Sequence, residues 1–159
     1  MRIFSAPFEN LTLSLGVDYD LIQIANNANV TAKLIAFHMG QSSDAGDAEA
    51  ELLRWSIMAG YGATVGSGGT ALTEQNIGRY GNTPQASVLA LNDTIALAGA
   101  GSLVTKHGDT FHVAAGLHWE PPEPMWIPIA PSDFLVIRLP VGPADALTVD
   151  GTVWWGEEG

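Results

Sequence analysis

Short runs in which apolar and polar residues alternate recur along the whole chain. A period of two belongs to a strand with one buried face. In "NLTLSLG" Leu11, Leu13 and Leu15 point one way, Thr12 and Ser14 the other. "YDLIQIA" supplies Leu21, Ile22 and Ile24, and "VTAKLIAFHM" sets Ile35, Phe37 and Met39 on one face. "LLRWSIMAGY" does the same with Leu53, Trp55, Ile57 and Ala59, leaving Arg54 and Ser56 opposite. "ASVLALN", "SLVTKHG" and "DFLVIRLP" read as further strands. "TFHVAAGLHWE" aligns Phe111, Val113, Leu117 and Trp119, and "LTVDGTVWWG" aligns Leu147, Val149, Val153 and Trp155. The 18 Gly and 9 Pro are spread between these runs rather than gathered in one linker. Regular short strands with such punctuation predict an antiparallel β-sandwich. We expect an all-β, jelly-roll-like domain of about eight strands over residues 1–159, with no internal repeat. Only "GDAEAELLRW" and "TEQNIGRYG" suggest a turn of helix, and neither carries a sustained 3.6-residue stripe.

Composition narrows the partners. Six Lys and Arg face 17 Asp and Glu, a formal net charge of -11. Nucleic acid and anionic membrane surfaces reward basic footprints, so neither is an expected partner. With no cysteine, thiolate metal sites and cysteine nucleophiles are excluded. No run approaches the ~20 apolar residues of a membrane span. Glu9 and Asn10 interrupt the N-terminal apolar stretch, so it does not read as a signal peptide, and folding in the cytoplasm is expected. Only 14% of residues are charged. The surface is therefore left to Ser, Thr, Asn, Gln, Gly and Ala, as suits a protein packed against copies of itself.

Candidate chemistry is sparse. "SSDAGDAEAE" carries Asp44, Asp47, Glu49 and Glu51, but lacks the spacing and glycine of a calcium loop. Along a strand the last three would line up ~6.6 Å apart rather than converge. "GYGATVGSGGTALT" lacks the lysine of a phosphate loop and reads as a flexible loop suited to subunit contact. His112 and His118 fall on one face of the same predicted strand, roughly 20 Å apart if it is straight, too far to share a metal. "LHWE" pairs only His118 with Glu120. No serine lies in a nucleophile elbow. Asp150 and Glu120 are the acids set among apolar strand residues, and Asp-Gly turn chemistry accounts for Asp150 equally well. We expect no catalytic residue, metal or cofactor. Trp55, Trp119 and Trp155 read as core; Trp126 and Trp154 are candidates for an interface or a sugar platform.

The blocks "GQSSDAGDAEAELLRWSIMAGY", "GSGGTALT", "LNDTIALAG" and "RLPVGPADALTVDGTVWWGEEG" together resemble a group of small virion structural proteins of tailed bacteriophages and prophages. The resemblance runs from Met39 to the C-terminus and carries no catalytic motif. It implies a capsid decoration or cement protein, a homotrimer that binds the major capsid protein on the head and is assembled in the host cytoplasm. Contacts would fall on a docking arm over residues 1–8 with Ile3, Phe4 and Phe8, on residues 60–73 with Val65 and Leu72, and on Trp126 and Trp154. Two other classes compete: a lectin-like carbohydrate-binding virion module on an exposed Trp126 or Trp154, and a small β-fold hydrolase or lyase using a His/acid pair such as His118 with Glu120.

Overall fold

The computed structural model describes residues 1–14, 16–27, 29–42, 51–78, 81 and 83–158. Among these residues, twelve strands carry the fold: β1 (Arg2–Leu13), β2 (Tyr19–Asn26), β3 (Thr31–Gln41), β4 (Leu52–Tyr61), β5 (Thr70–Ala71), β6 (Gln75–Asn76), β7 (Ala86–Asn92), β8 (Ser102–His112), β9 (Leu117–Trp119), β10 (Ile127–Ile129), β11 (Phe134–Leu139) and β12 (Leu147–Glu158). They form two antiparallel sheets. The first runs β10-β3-β12-β1-β6, with β9 also on β3; the second runs β5-β7-β2-β11-β4-β8. The all-β sandwich expected from the alternating runs is therefore present. Pairing is nested: β1 lies on β12, β2 on β11, β3 on β9 and β10, and β4 on β8.

Between the sheets lies one core. Phe4, Phe8, Leu13, Leu34, Phe37, Val153 and Trp155 come from the first sheet, and Leu21, Ile22, Ile24, Leu53, Trp55, Ile57 and Ile137 from the second. Phe4 stacks on Trp155 and Phe8 on Phe37, with ring centroids 5.7 Å and 6.1 Å apart. Trp55, Trp119 and Trp155 are core residues, as the pattern predicts. Residues 2–8 are not a free arm. They form a strand inside the first sheet, in register from Arg2 against Glu157 to Phe8 against Gly151, and Phe4 and Phe8 are buried. Pro7 is tolerated because β6 pairs with β1 only at Phe4 and Ser5, so the other edge of β1 has no ladder for it to break.

Several local expectations need correction. "TEQNIGRYG" contributes strand β6 over Gln75–Asn76, where a helical turn was expected. "TFHVAAGLHWE" is not one strand. A 3-10 turn over Val113–Ala115, closed by Gly116 at φ 73, carries the chain from β8 in the second sheet to β9 in the first. His112 and His118 therefore lie on different strands, and His112 Nδ1 accepts the Ala114 N–H at 3.2 Å. Asp150 lies within β12 rather than in a turn; its carboxylate accepts the Asn10 N–H at a bulge of β1, 2.6 Å away. In β3 the extra residue of a bulge opposite Trp154 and Trp155 turns Ile35 outward and leaves Leu34, Phe37 and Met39 buried. Leu15 falls outside the described residues.

At its centre the second sheet is covered on its outer face too, which is why β2 and β11 lack alternation. Asp20, fully buried, accepts from Arg138 Nε at 2.6 Å and from the Ala96 N–H at 2.5 Å, while Arg138 Nη2 donates to the Ala96 carbonyl at 2.7 Å. Gln23 accepts the Gly66 N–H at 2.8 Å and the Asn92 side-chain amide at 3.1 Å. Residues 64–67 and 94–97 are thus drawn over the sheet and bridged to each other, Thr64 to Leu97 and Ser67 to Thr94. Ala96 packs with Phe134 and Val136 as a second, smaller core. The glycines of "GSGG" are required by this closeness. A Cβ on Gly66 would stand 2.3 Å from Asn92 Nδ2, and one on Gly69 2.4 Å from Asn92 Oδ1. The segment is a pinned cover, not a flexible loop.

Removing one partner of a buried ion pair strands the other, at a cost of roughly 3–5 kcal/mol. Asp20→Ala is expected to lower unfolding free energy by about that much in urea titration. Gly66→Ala should cost about 1–3 kcal/mol through overpacking, with the far-UV dichroism of the folded state unchanged in both.

Candidate functional site

The first sheet's outer face carries the only His/carboxylate cluster of metal-ligand reach among the described residues: His38, His118 and Glu120, whose donor atoms all lie within 4.8 Å of one another. Strand register builds it. His38 on β3 stands opposite His118 on β9 and opposite Thr152 on β12. The two imidazole centroids are 3.8 Å apart, and Trp154 meets His38 edge-on at 4.8 Å. Glu120 follows β9 by one residue, and its Oε2 lies 3.1 Å from His118 Nε2.

The prolines account for where Glu120 sits. Pro121, Pro122 and Pro124 have no N–H to give a ladder, so the partner of β3 leaves the sheet after Trp119. It makes a 3-10 turn over Glu123–Met125 and rejoins β3 as β10. The bulge of β3 at Ile35 falls between its two contacts with β9 and β10. Bulges of this kind re-aim side chains and gather beside binding sites. Here Ile35 and Ala36 line the same groove as Trp154, and that groove, about 200 Å³, is completed by Ile3, His38 and Glu120.

On the other side of Glu120 opens a wider cleft of about 340 Å³ between the edges of the two sheets. Trp55 and Trp119 are buried in its wall, and His107 lies between them, 5.0 Å and 6.0 Å from their rings. Lys106, Asp109, His118 and Glu120 line it as well, mixing both charge signs.

The electrostatics of the cluster are uneven. Burial, reinforced by the neighbouring His118, pushes the His38 imidazole below its ordinary pKa, against a smaller upward pull from Glu120. The Nε2 of His38 is buried and has no hydrogen-bond partner among the described residues. Such orphaned groups are rare in folded proteins and call for a reason. His118 and Glu120, by contrast, are both exposed, their side chains 64% and 63% accessible.

The sequence-predicted residues are scattered relative to this site. The His118–Glu120 pair of "LHWE" is present, and Trp154 and Ile3 lie beside it. Trp126 is half-buried and directs its indole N–H to the Pro121 carbonyl at 3.2 Å. Val65 is exposed on the pinned cover, and Leu72 is half-buried against the main core. Phe4 and Phe8 belong to the interior. Of the acids in "SSDAGDAEAE", Asp44, Asp47 and Glu49 lie outside the described residues. Glu51 accepts the Ala144 N–H with both oxygens, at 2.8 Å and 3.0 Å. Glu120 is exposed, and the buried carboxylates among the described residues are Asp20 and Glu157. Glu157 Oε1 accepts the N–H groups of Gln85 and Ala86 at 2.8 Å and 3.0 Å. His38 was missed because its place opposite His118 exists only once β3 and β9 pair.

No protein-family model, curated protein or solved structure matches this chain.

An unsatisfied buried nitrogen costs ~1–3 kcal/mol, and replacing it with an apolar group of similar shape removes that cost. His38→Phe is accordingly expected to raise unfolding free energy by about 1 kcal/mol in chelator-treated protein. A loss of stability would show that the ring is held by bonds not identified in this fold.

Proposed function

We propose that this chain is a structural subunit of a tailed-bacteriophage or prophage virion, of the capsid decoration or cement type. It binds the major capsid protein and copies of itself, as a homotrimer on the head. Support comes first from the four sequence blocks that resemble such proteins. The observation that carries the reading is where two of them meet. Ser67 of "GSGGTALT" pairs with Thr94 of "LNDTIALAG" over the second sheet. The cover they form, together with the neighbouring Thr64 and Val65, is pinned by Asp20, Arg138, Gln23 and Asn92, and it presents Val65 and Leu97 to solvent, 50% and 55% exposed. A rigid platform with apolar tips loses little entropy on docking, which is what a lattice-binding protein with many weak contacts needs. We further infer that the nested pairing of β1 to β12, β2 to β11, β3 to β9/β10 and β4 to β8 is that of a jelly roll. Jelly rolls occur in capsid proteins, but also in lectins and cupins, so this point supports by analogy alone.

A second reading, a small β-fold hydrolase or lyase, is favoured by one observation: the His118–Glu120 pair borders a cleft that also holds His107, Lys106 and Asp109. The lectin-like alternative has less behind it, since Trp126 and Trp154 are both half-buried.

Light scattering of the purified protein is expected to give about three times the 16.7 kDa of one chain. Co-sedimentation with heads that lack the protein should saturate. Val65→Asp with Leu97→Asp should abolish it without changing the melting temperature. A monomer that does not bind heads would overturn the virion reading. Turnover of an ester or glycoside that disappears in Glu120→Gln would move the enzyme reading ahead of it.

A further inference from the structure

We propose that His38, His118 and Glu120 form a binding site for one divalent transition-metal cation of the zinc class. The donor set is two imidazoles and a carboxylate. Calcium and magnesium take oxygen donors, whereas zinc and its neighbours accept imidazole nitrogen together with carboxylate oxygen. Two donors on one tetrahedral ion, each about 2.0–2.2 Å from it, stand roughly 3.3–3.6 Å apart. His118 Nε2 and Glu120 Oε2 are already at 3.1 Å, and the whole set lies within 4.8 Å. The remaining adjustment falls to Glu120, which is exposed and sits beyond the end of its strand, where a carboxylate can swing.

His38 supplies a second and independent argument. Exposed His–Glu pairs are commonplace, so the contact between His118 and Glu120 explains itself without an ion. The buried Nε2 of His38 does not: among the described residues nothing bonds it. Strand pairing fixes the ring against His118, and Trp154 closes it in from β12. An imidazole nitrogen can offer its lone pair to a metal, and a cation shared with His118 and Glu120 would satisfy this one. Two of the three ligands stand on paired strands of a sheet, where their spacing is set by the ladder rather than by side-chain chance.

Three protein ligands leave a tetrahedral ion one open position, the arrangement of metal sites that bind an exchangeable group. Glu120 borders both the groove under Trp154 and the wider cleft. A group held on the fourth position would thus have an apolar wall of Ile3, Ile35 and Trp154 beside it. The site does not depend on the virion reading, and either can fail alone.

The test is isothermal titration of tag-free, chelator-treated full-length protein with Zn²⁺, with Mg²⁺ and Ca²⁺ as controls. It is run in parallel on His118→Ala and Glu120→Gln. Both changes are at exposed side chains, and matching metal-free melting temperatures would show that the fold is intact. The expected result is one Zn²⁺ per chain, no heat with Mg²⁺ or Ca²⁺, and affinity at least about ten-fold weaker in each variant. Co²⁺ should give the visible absorption of a tetrahedral or five-coordinate site, and that absorption should be lost in His118→Ala. Absence of Zn²⁺ binding, or binding unchanged in either variant, would overturn the proposal.

Discussion

A carboxylate that water cannot reach must be answered from within the protein, and Asp20 sets that demand at the centre of the second sheet. Its two oxygens take an N–H from Arg138 and one from Ala96, and Arg138 returns to the Ala96 carbonyl. Three residues distant in sequence are locked into one unit. The lock holds residues 94–97 against the sheet, which in turn holds residues 64–67 through the Thr64–Leu97 and Ser67–Thr94 bridges. Beneath them Ala96, Phe134 and Val136 become a small interior of their own. The central strands β2 and β11, which would otherwise present one face to water, are enclosed on both. What they display instead is the back of their cover. Buried ion pairs are weak sources of net stability. The Asp20–Arg138 pair is better understood as fixing where the cover lies.

The opposite sheet shows the complementary device, an interruption. Prolines after Trp119 break the partner of β3 into β9 and β10, and β3 answers with a bulge at Ile35. Both departures fall near His38, and together they leave a groove, a cleft and a polar cluster on what would otherwise be a plain pleated surface. The two faces of the molecule therefore differ in kind. One is rigid, apolar at its tips and shielded; the other is open, with titratable groups held by strand register.

Period-two alternation made most strands legible, because a residue facing the core between the sheets is apolar for that reason alone. It failed where that reason no longer applied. In β2 and β11 both faces are buried, so Asp20 and Gln23 looked like solvent positions when they are the anchors of the cover. The "GSGG" run looked mobile because glycine is permissive; here it is needed because Asn92 and Asp93 come too close for a Cβ. In β3 a bulge adds one residue and reverses which of Leu34 and Ile35 faces inward, and no composition signal marks it. The site was half visible. His118 and Glu120 are near neighbours in the chain, while His38 joins them only through a pairing eighty positions away. "MRIFSAPF" looked like an arm because Pro7 breaks a ladder, but only one side of that strand has a full ladder to keep.

The nesting of the pairs has a temporal side. β1 is made well before β12, its main partner, with Arg2 set against Glu157 and Phe4 against Trp155. A ribosome adding roughly 5–20 residues per second delivers β1 many seconds before β12 exists. Throughout that interval Phe4, Ala6 and Phe8 have no ladder to hold them on that side. Non-local pairing of this kind also slows folding once the chain is complete. The nascent protein thus passes through a window in which an apolar strand edge is open to other chains, and it closes only once β12 has emerged.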